Sequence, residues 1–193
     1  MTITPTDEIA PLQTVDELAA LLERSRHRAE RPSGTSLGIL DHGLQCAAVL
    51  RRERPDDLEL QIAGLVHDLG HVAVPDDADG HGRHGRVLFE GLLGGRVAAL
   101  VELHVPAKRY LVTVESGYGD SLSPGSVRTL AEQGGPMTLD EVSWFTAQRH
   151  HRDAIVLRRA DEAAKVPGRQ VPGLDEWMPR VEALVAVRRT LGG

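Results

Sequence analysis

Residues 62–71 read Ile62-Ala63-Gly64-Leu65-Val66-His67-Asp68-Leu69-Gly70-His71, an apolar run that ends in a histidine beside an aspartate. Leu58, Ile62, Leu65, Val66 and Leu69 recur at three and four residues, the spacing of one helix face. The spacing predicts a helix from about Asp56, with Gly70 suited to its end. A histidine next to an aspartate can bind one metal ion through the imidazole, while the carboxylate bridges to a second.

The same periodicity of three and four extends in both directions and predicts an all-α chain. Alanine, leucine, valine, glutamate and arginine dominate, and aromatic residues make up only 3%. Thr14 and Glu17 form a capping box for a helix through Leu18, Leu21 and Leu22 to about Arg28. A second helix is predicted from Leu40 to Arg52, stopped near Pro55. VPDDADGHGRHG, residues 74–85, reads as a polar loop before a fourth helix marked by Val87, Leu88, Leu92 and Leu93. Val97 to Leu103 is a fifth, and Pro106 predicts that His104 stands at its end or at a kink. Ser123-Pro124 caps a short helix within residues 122–135, and Thr138 with Glu141 forms a second capping box. Asp153 opens a helix to Ala164, and the last helix spans about Leu174 to Leu191.

At 193 residues the chain suits one domain, residues 1–193. Its parts are an N-terminal helical segment (about 1–30), a core (about 38–165) and a C-terminal helix (about 174–191). Acidic residues outnumber basic ones, 28 to 22, so no broad positive field favours nucleic acid or an anionic membrane. An anionic small molecule must then be met by local cations. Cys46 is the single cysteine, so no internal disulfide forms. The N-terminus lacks a basic start with an apolar core, and no stretch approaches the roughly 20 apolar residues that span a bilayer. A cytoplasmic protein, a monomer or small homo-oligomer, is the expectation.

Around His67 and Asp68 lie four more potential ligands, His42, His84, His104 and Asp161. Six such donors suffice for two first-row metal ions, and the absence of paired thiolates argues against a structural zinc knuckle. One helical turn from three of them stand groups able to carry positive charge: His71 after Asp68, Lys108 after His104, Arg158 before Asp161. Two metals with lysine, arginine and histidine suit a phosphate or phosphonate. Each residue also has a plain structural reading, since an arginine near an aspartate on a helix is usually an ordinary ion pair. His27, His81, His150 and His151 read as surface residues, with His81 the one rival ligand. Cys46, Trp144, Phe145 and Trp177 read as packing residues, and Glu162 and Asp175 as acid–base alternatives to Asp161.

The segments LDHGLQCA, AGLVHDLGH, HGRVLFEGL, LHVPAKRYL, SGYGDSLSPGSVRTLAEQGGPMTLDEV and LRRADEAAK lie within about residues 38–165. Together they resemble the HD-domain superfamily of helical metalloproteins. Within it they resemble the mixed-valence di-iron oxygenases that cleave carbon–phosphorus bonds, of the 2-amino-1-hydroxyethylphosphonate dioxygenase type. The HD dipeptide is weakly specific, whereas HVxAKRYL and LSPxSVxxLxxQGGPM are much more so. The resemblance implies a compact helical bundle around a dinuclear site. His42, His67, Asp68, His84, His104 and Asp161 would hold two Fe ions as a mixed-valence Fe(II)/Fe(III) pair, with Asp68 bridging. His67 and Asp68 would stand at the catalytic centre, and His71, Lys108, Ser126, Gln133 and Arg158 would hold the phosphonate and its hydroxyl. The implied reaction is O2-dependent oxidation at the carbon bearing the hydroxyl, releasing inorganic phosphate and a carboxylic acid.

The aminophosphonate enzymes of this type carry a tyrosine and a glutamate just before the first histidine ligand. Here that stretch is Arg31-Pro32-Ser33-Gly34-Thr35-Ser36-Leu37, with neither acid nor aromatic. The expectation is an amine-free 1-hydroxyphosphonate such as hydroxymethylphosphonate. Two other readings compete: a metal-dependent phosphohydrolase acting on a phosphate ester or nucleotide, and a non-catalytic HD module for binding or signalling. Phosphate release that needs O2 separates the first from the oxygenase, and the filled ligand positions argue against the second.

Overall fold

Thr14 opens the first helix as its capping box predicts. Its hydroxyl accepts from the Glu17 amide while the Glu17 carboxylate accepts from the Thr14 amide. The computed structural model describes residues 9–26, 28, 37–75 and 80–191. Among them the α-helices are α1 (Val15–Ser25), α2 (Ile39–Glu53), α3 (Leu58–Val66), α4 (Gly70–Ala73), α5 (His81–Leu93), α6 (Gly95–Val114), α7 (Pro124–Glu132), α8 (Leu139–Ala147), α9 (His151–Ala163) and α10 (Leu174–Leu191), with a 3-10 turn at Gly119–Ser121. The chain is all-α, as its periodicity predicts.

Helices α2, α3, α6 and α9 pack on one another, and α5 lies along α6. Two close approaches depend on glycine. A Cβ on Gly43 of α2 would stand 2.4 Å from the Leu65 carbonyl oxygen of α3, and one on Gly85 of α5 would stand 2.4 Å from Cγ1 of Val101 on α6. The core is aliphatic, with Leu40, Leu50, Leu60, Ile62 and Val101 buried beside Phe89, Phe145 and Trp177. Each such side chain contributes about 1.5–3 kcal/mol through burial. No helix among the described residues is long and apolar enough to cross a membrane.

Four local expectations are corrected. Helix α3 ends at Val66, not near Gly70, because His67 and Asp68 occupy a tight turn in which the Leu69 amide bonds the Val66 carbonyl and the His71 amide bonds that of Asp68. Helix α5 begins at His81, inside the predicted loop, because its glycines permit close packing on α6 while His81 and His84 are buried. Helix α6 runs unbroken past Pro106, so His104 is mid-helix and shares a face with Lys108. The lost backbone bond at Pro106 is offset by burial of the apolar side chains Leu100, Val101, Leu103, Ala107 and Leu111 of the same helix. Trp144, read as a packing residue, is half exposed, whereas Phe145 and Trp177 are fully buried. His27 and Arg31 to Ser36 lie outside the described residues.

Candidate metal centre

Five elements deliver donors to one buried point: His42 from α2, His67 and Asp68 from the turn after α3, His81 from α5, His104 from α6 and Asp161 from α9. The donors fall into two groups, His42 with His67 and Asp161, and Asp68 with His81 and His104, each with its ligand atoms within 4.8 Å of one another. His42 Nε2 lies 3.0 Å from Asp161 Oδ1, and His81 Nε2 lies 2.9 Å from His104 Nε2. Two ligand atoms each about 2.1 Å from one metal ion and at right angles to it stand about 3 Å apart.

Asp68 faces both groups. Its Oδ2 is 3.8 Å from His42 Nε2 and 3.5 Å from His67 Nε2, while its Oδ1 is 3.6 Å from His81 Nε2 and 3.7 Å from His104 Nε2. The backbone fixes two of the rings. His67 Nδ1 lies 2.8 Å from the Gly64 carbonyl oxygen, and His104 Nδ1 lies 2.5 Å from that of Val101. A carbonyl only accepts, so both Nδ1 atoms carry the proton and both Nε2 lone pairs are left to coordinate. His67 Nε2 is buried without a hydrogen-bond partner, as a metal-facing nitrogen would be. The donor set therefore fits two ions that accept imidazole and carboxylate.

Electrostatics keep the donors in ligating form. Burial alone would raise the Asp68 and Asp161 carboxyls, but the imidazoles facing Asp68, and Arg158 and Lys165 beside Asp161, hold both well below the usual carboxylate range. Burial, reinforced by His67, pushes the His104 imidazole down to about 3, so it is neutral at ordinary pH. Cys46, 0% exposed, packs in the core with its thiol pushed up by burial.

His84, expected among the ligands, is buried but belongs to neither group. His81, expected at the surface, is 3% exposed and stands in the second group. The signal that places it is helix phase. Stepping back from Leu92 and Leu88 along the buried stripe of α5 reaches Gly85 and then His81.

Beside Asp161 lies a cationic cluster. Arg158 pairs with Asp161 through Nη1 and with Glu162 through Nη2, and its Nη2 is 3.2 Å from Ser126 Oγ. Lys165 Nζ is 3.2 Å from Asp161 Oδ1 and 2.9 Å from Ser126 Oγ. Lys108 Nζ donates to Thr129 Oγ1 at 2.8 Å, one turn of α7 beyond Ser126, and burial with the nearby Arg158 charge pushes its ammonium down to about 7. His71 stacks on His81 with centroids 3.9 Å apart. Gln133 stands at the C-terminal end of α7 with its Oε1 buried and without a partner. Thus Ser126 and Arg158 meet directly, Lys108 approaches through Thr129, and His71 lies on the second metal group's side. Lys165 and Glu162 join this cluster, because α7 packs where α9 ends.

Residues 36–165 match the HD domain family model. Over 177 residues the chain is 35% identical to a hydroxymethylphosphonate dioxygenase of Gimesia maris, covering 87% of this chain and 88% of that protein. Over 168 residues it is 29% identical to a [1-hydroxy-2-(trimethylamino)ethyl]phosphonate dioxygenase (glycine-betaine-forming) of Leisingera caerulea, covering 83% of this chain and 85% of that one.

Proposed function

This chain belongs to the HD domain family, and from that premise we propose that it is an oxygenase that uses two iron ions and O2 to cleave the carbon–phosphorus bond of a 1-hydroxyphosphonate. The observation that carries the reading is Asp68, whose two oxygens face two separate donor groups, next to a buried cluster of cations suited to an anion. His42, His67 and Asp161 would hold one ion, His81 and His104 the other, and Asp68 would bridge. When bound, a mixed-valence iron pair supplies the O2 chemistry.

The protein's own groups bind and orient. Lys108 and Arg158 neutralise the phosphonate, with Ser126 and Gln133 at the α7 side and His71 beside the second donor group. Burial of Lys108, Ser126 and Arg158 excludes water there and strengthens their contacts. For hydroxymethylphosphonic acid the reaction balances with O2 alone: one substrate and one O2 give one formic acid and one phosphoric acid. Carbon is oxidised, O2 is the oxidant, and no external reductant enters.

Two observations support an amine-free substrate. The Gimesia maris relative is named for hydroxymethylphosphonate, and Arg31 to Leu37 contains neither an acid to pair with an ammonium nor an aromatic ring to enclose a quaternary one. The test is iron loading without oxygen, addition of hydroxymethylphosphonate, then O2 with phosphate and formate measured. Stoichiometric phosphate only after O2 supports the reading. Phosphate released without O2 identifies a hydrolase, and faster turnover of the 2-amino-1-hydroxyethyl analogue overturns the amine-free assignment.

A further inference from the structure

Glu162 follows Asp161 on α9, and its side chain is 15% exposed. Its Oε1 accepts from the Ser123 amide at 2.6 Å. Its Oε2 accepts from the Ser126 hydroxyl at 2.8 Å and from Arg158 Nη2, and Lys165 Nζ stands 3.3 Å away. These are the groups suited to receive a phosphonate.

Counting protons shows the competition. A serine hydroxyl has one proton, and that of Ser126 goes to Glu162, while its oxygen lies within bonding distance of Arg158, Lys165 and the Ser123 hydroxyl. Both Nη2 protons of Arg158 are used, one on Glu162 and one on Ser126, and Nη1 serves Asp161. Replacing Glu162 Oε2 gives an incoming anion the Ser126 proton and the Nη2 proton that Glu162 holds, beside the Arg158 Nε–H, which has no hydrogen-bond partner. The displaced carboxylate has space, because Glu162 also lines a surface cavity of about 440 Å³ whose wall includes Tyr118, Ser121 and Arg159.

We propose that Glu162 is an internal competitor for the anion site, a carboxylate that an incoming phosphonate dianion displaces from Ser126 and Arg158 and a carboxylate ligand does not. Exchanging one carboxylate for another leaves the same donors facing the same single charge, so nothing offsets the rearrangement. A phosphonate brings a second charge and a third oxygen to donors that are buried, where charge counts for more. The inference rests on the phosphonate reading above and deepens it.

Calorimetry under anaerobic conditions on iron-loaded protein tests it with two unreactive probes, methylphosphonate and acetate, at a pH where the phosphonate is dianionic. The wild type should prefer methylphosphonate, and Glu162→Gln, which lowers the cost of displacement, should bind methylphosphonate at least about tenfold more tightly. Unchanged or weaker methylphosphonate binding in Glu162→Gln would overturn the proposal and make Glu162 a brace. If Glu162→Gln does not fold, a crystal structure of the wild type with methylphosphonate decides. The phosphonate on Ser126 and Arg158 with Glu162 turned towards the cavity supports displacement, and Glu162 still on both overturns it. A wild type that releases phosphate with O2 yet fails these tests loses only this inference. One that binds no methylphosphonate loses the phosphonate reading with it.

Discussion

His81 Nε2 and His104 Nε2 stand 2.9 Å apart, two buried imidazole nitrogens aimed at one point. The His104 Nδ1 proton is committed to the Val101 carbonyl, so its Nε2 offers a lone pair that either a proton on His81 Nε2 or a cation shared by both rings would meet. With the cation, His81→Ala should lose one of two bound metal equivalents by elemental analysis, with affinity at that position weakened at least about 100-fold. His84→Ala should retain two. Equal loss in both variants would return His84 to the ligand set.

What was legible in the sequence was whatever a few neighbouring residues decide. The capping boxes Thr14 with Glu17 and Thr138 with Glu141 are local, and both form. His81 was obscured because HGRHG has the composition of a loop, and only the packing of α5 on α6 gives its glycines their purpose. Pro106 misled for a related reason: its helical cost is local, whereas the burial that offsets it comes from other helices. His42 and Asp161 are 119 residues apart; donor chemistry put both among six candidate ligands, but which donors share a group depends on the packing of distant helices. The Glu162–Ser126 bond depends on α7 meeting α9, which no periodicity encodes.

Lys108 sets a pH dependence. Its ammonium is pushed from near 10.5 down to about 7, so the charged form that attracts an anion prevails below that pH and is lost above it. Lys108→Ala should raise KM for hydroxymethylphosphonate by roughly 10- to 100-fold, the loss of one charge-assisted contact, with a smaller effect on kcat. Lys108→Arg keeps its charge throughout. Dividing the wild-type kcat/KM by that of Lys108→Arg cancels the substrate's own ionisation, and the ratio should fall as pH rises through about 7. A flat ratio would remove Lys108 from anion binding.

Arg96 ties three helix starts together. From the first turn of α6 it reaches Asp57 with two contacts of 2.6 Å, Glu59 at 3.1 Å and Asp153 at 2.9 Å. With about a quarter of its side chain exposed, the network is partly screened, and Arg96→Ala should cost about 1–2 kcal/mol in urea unfolding. Arg96 holds the Asp57 carboxyl below its ordinary value, so this stability is present above about pH 3.9 and is lost as pH falls through the lower folded value. The variant should show a shallower decline in stability across that acid range.

Gln45 supplies the last test, because it links α2 to the chain after α9. Its side-chain amide donates to the Val166 carbonyl at 2.9 Å and accepts from the Val166 amide at 3.3 Å, so it pairs with that residue much as a neighbouring strand would. Gln45 is one turn after His42, and Val166 directly follows Lys165, so this pair sets the register between the His42 helix and the segment carrying Asp161 and Lys165. Gln45→Leu preserves bulk at a position 2% exposed but removes both bonds. Val166 is 37% exposed, so water recovers part of the loss, and about 1–2 kcal/mol of stability should disappear. A register role requires more than that: metal affinity of the His42, His67 and Asp161 group should fall while that of the His81 and His104 group holds. Loss of stability with both affinities unchanged would reduce Gln45 to a packing residue.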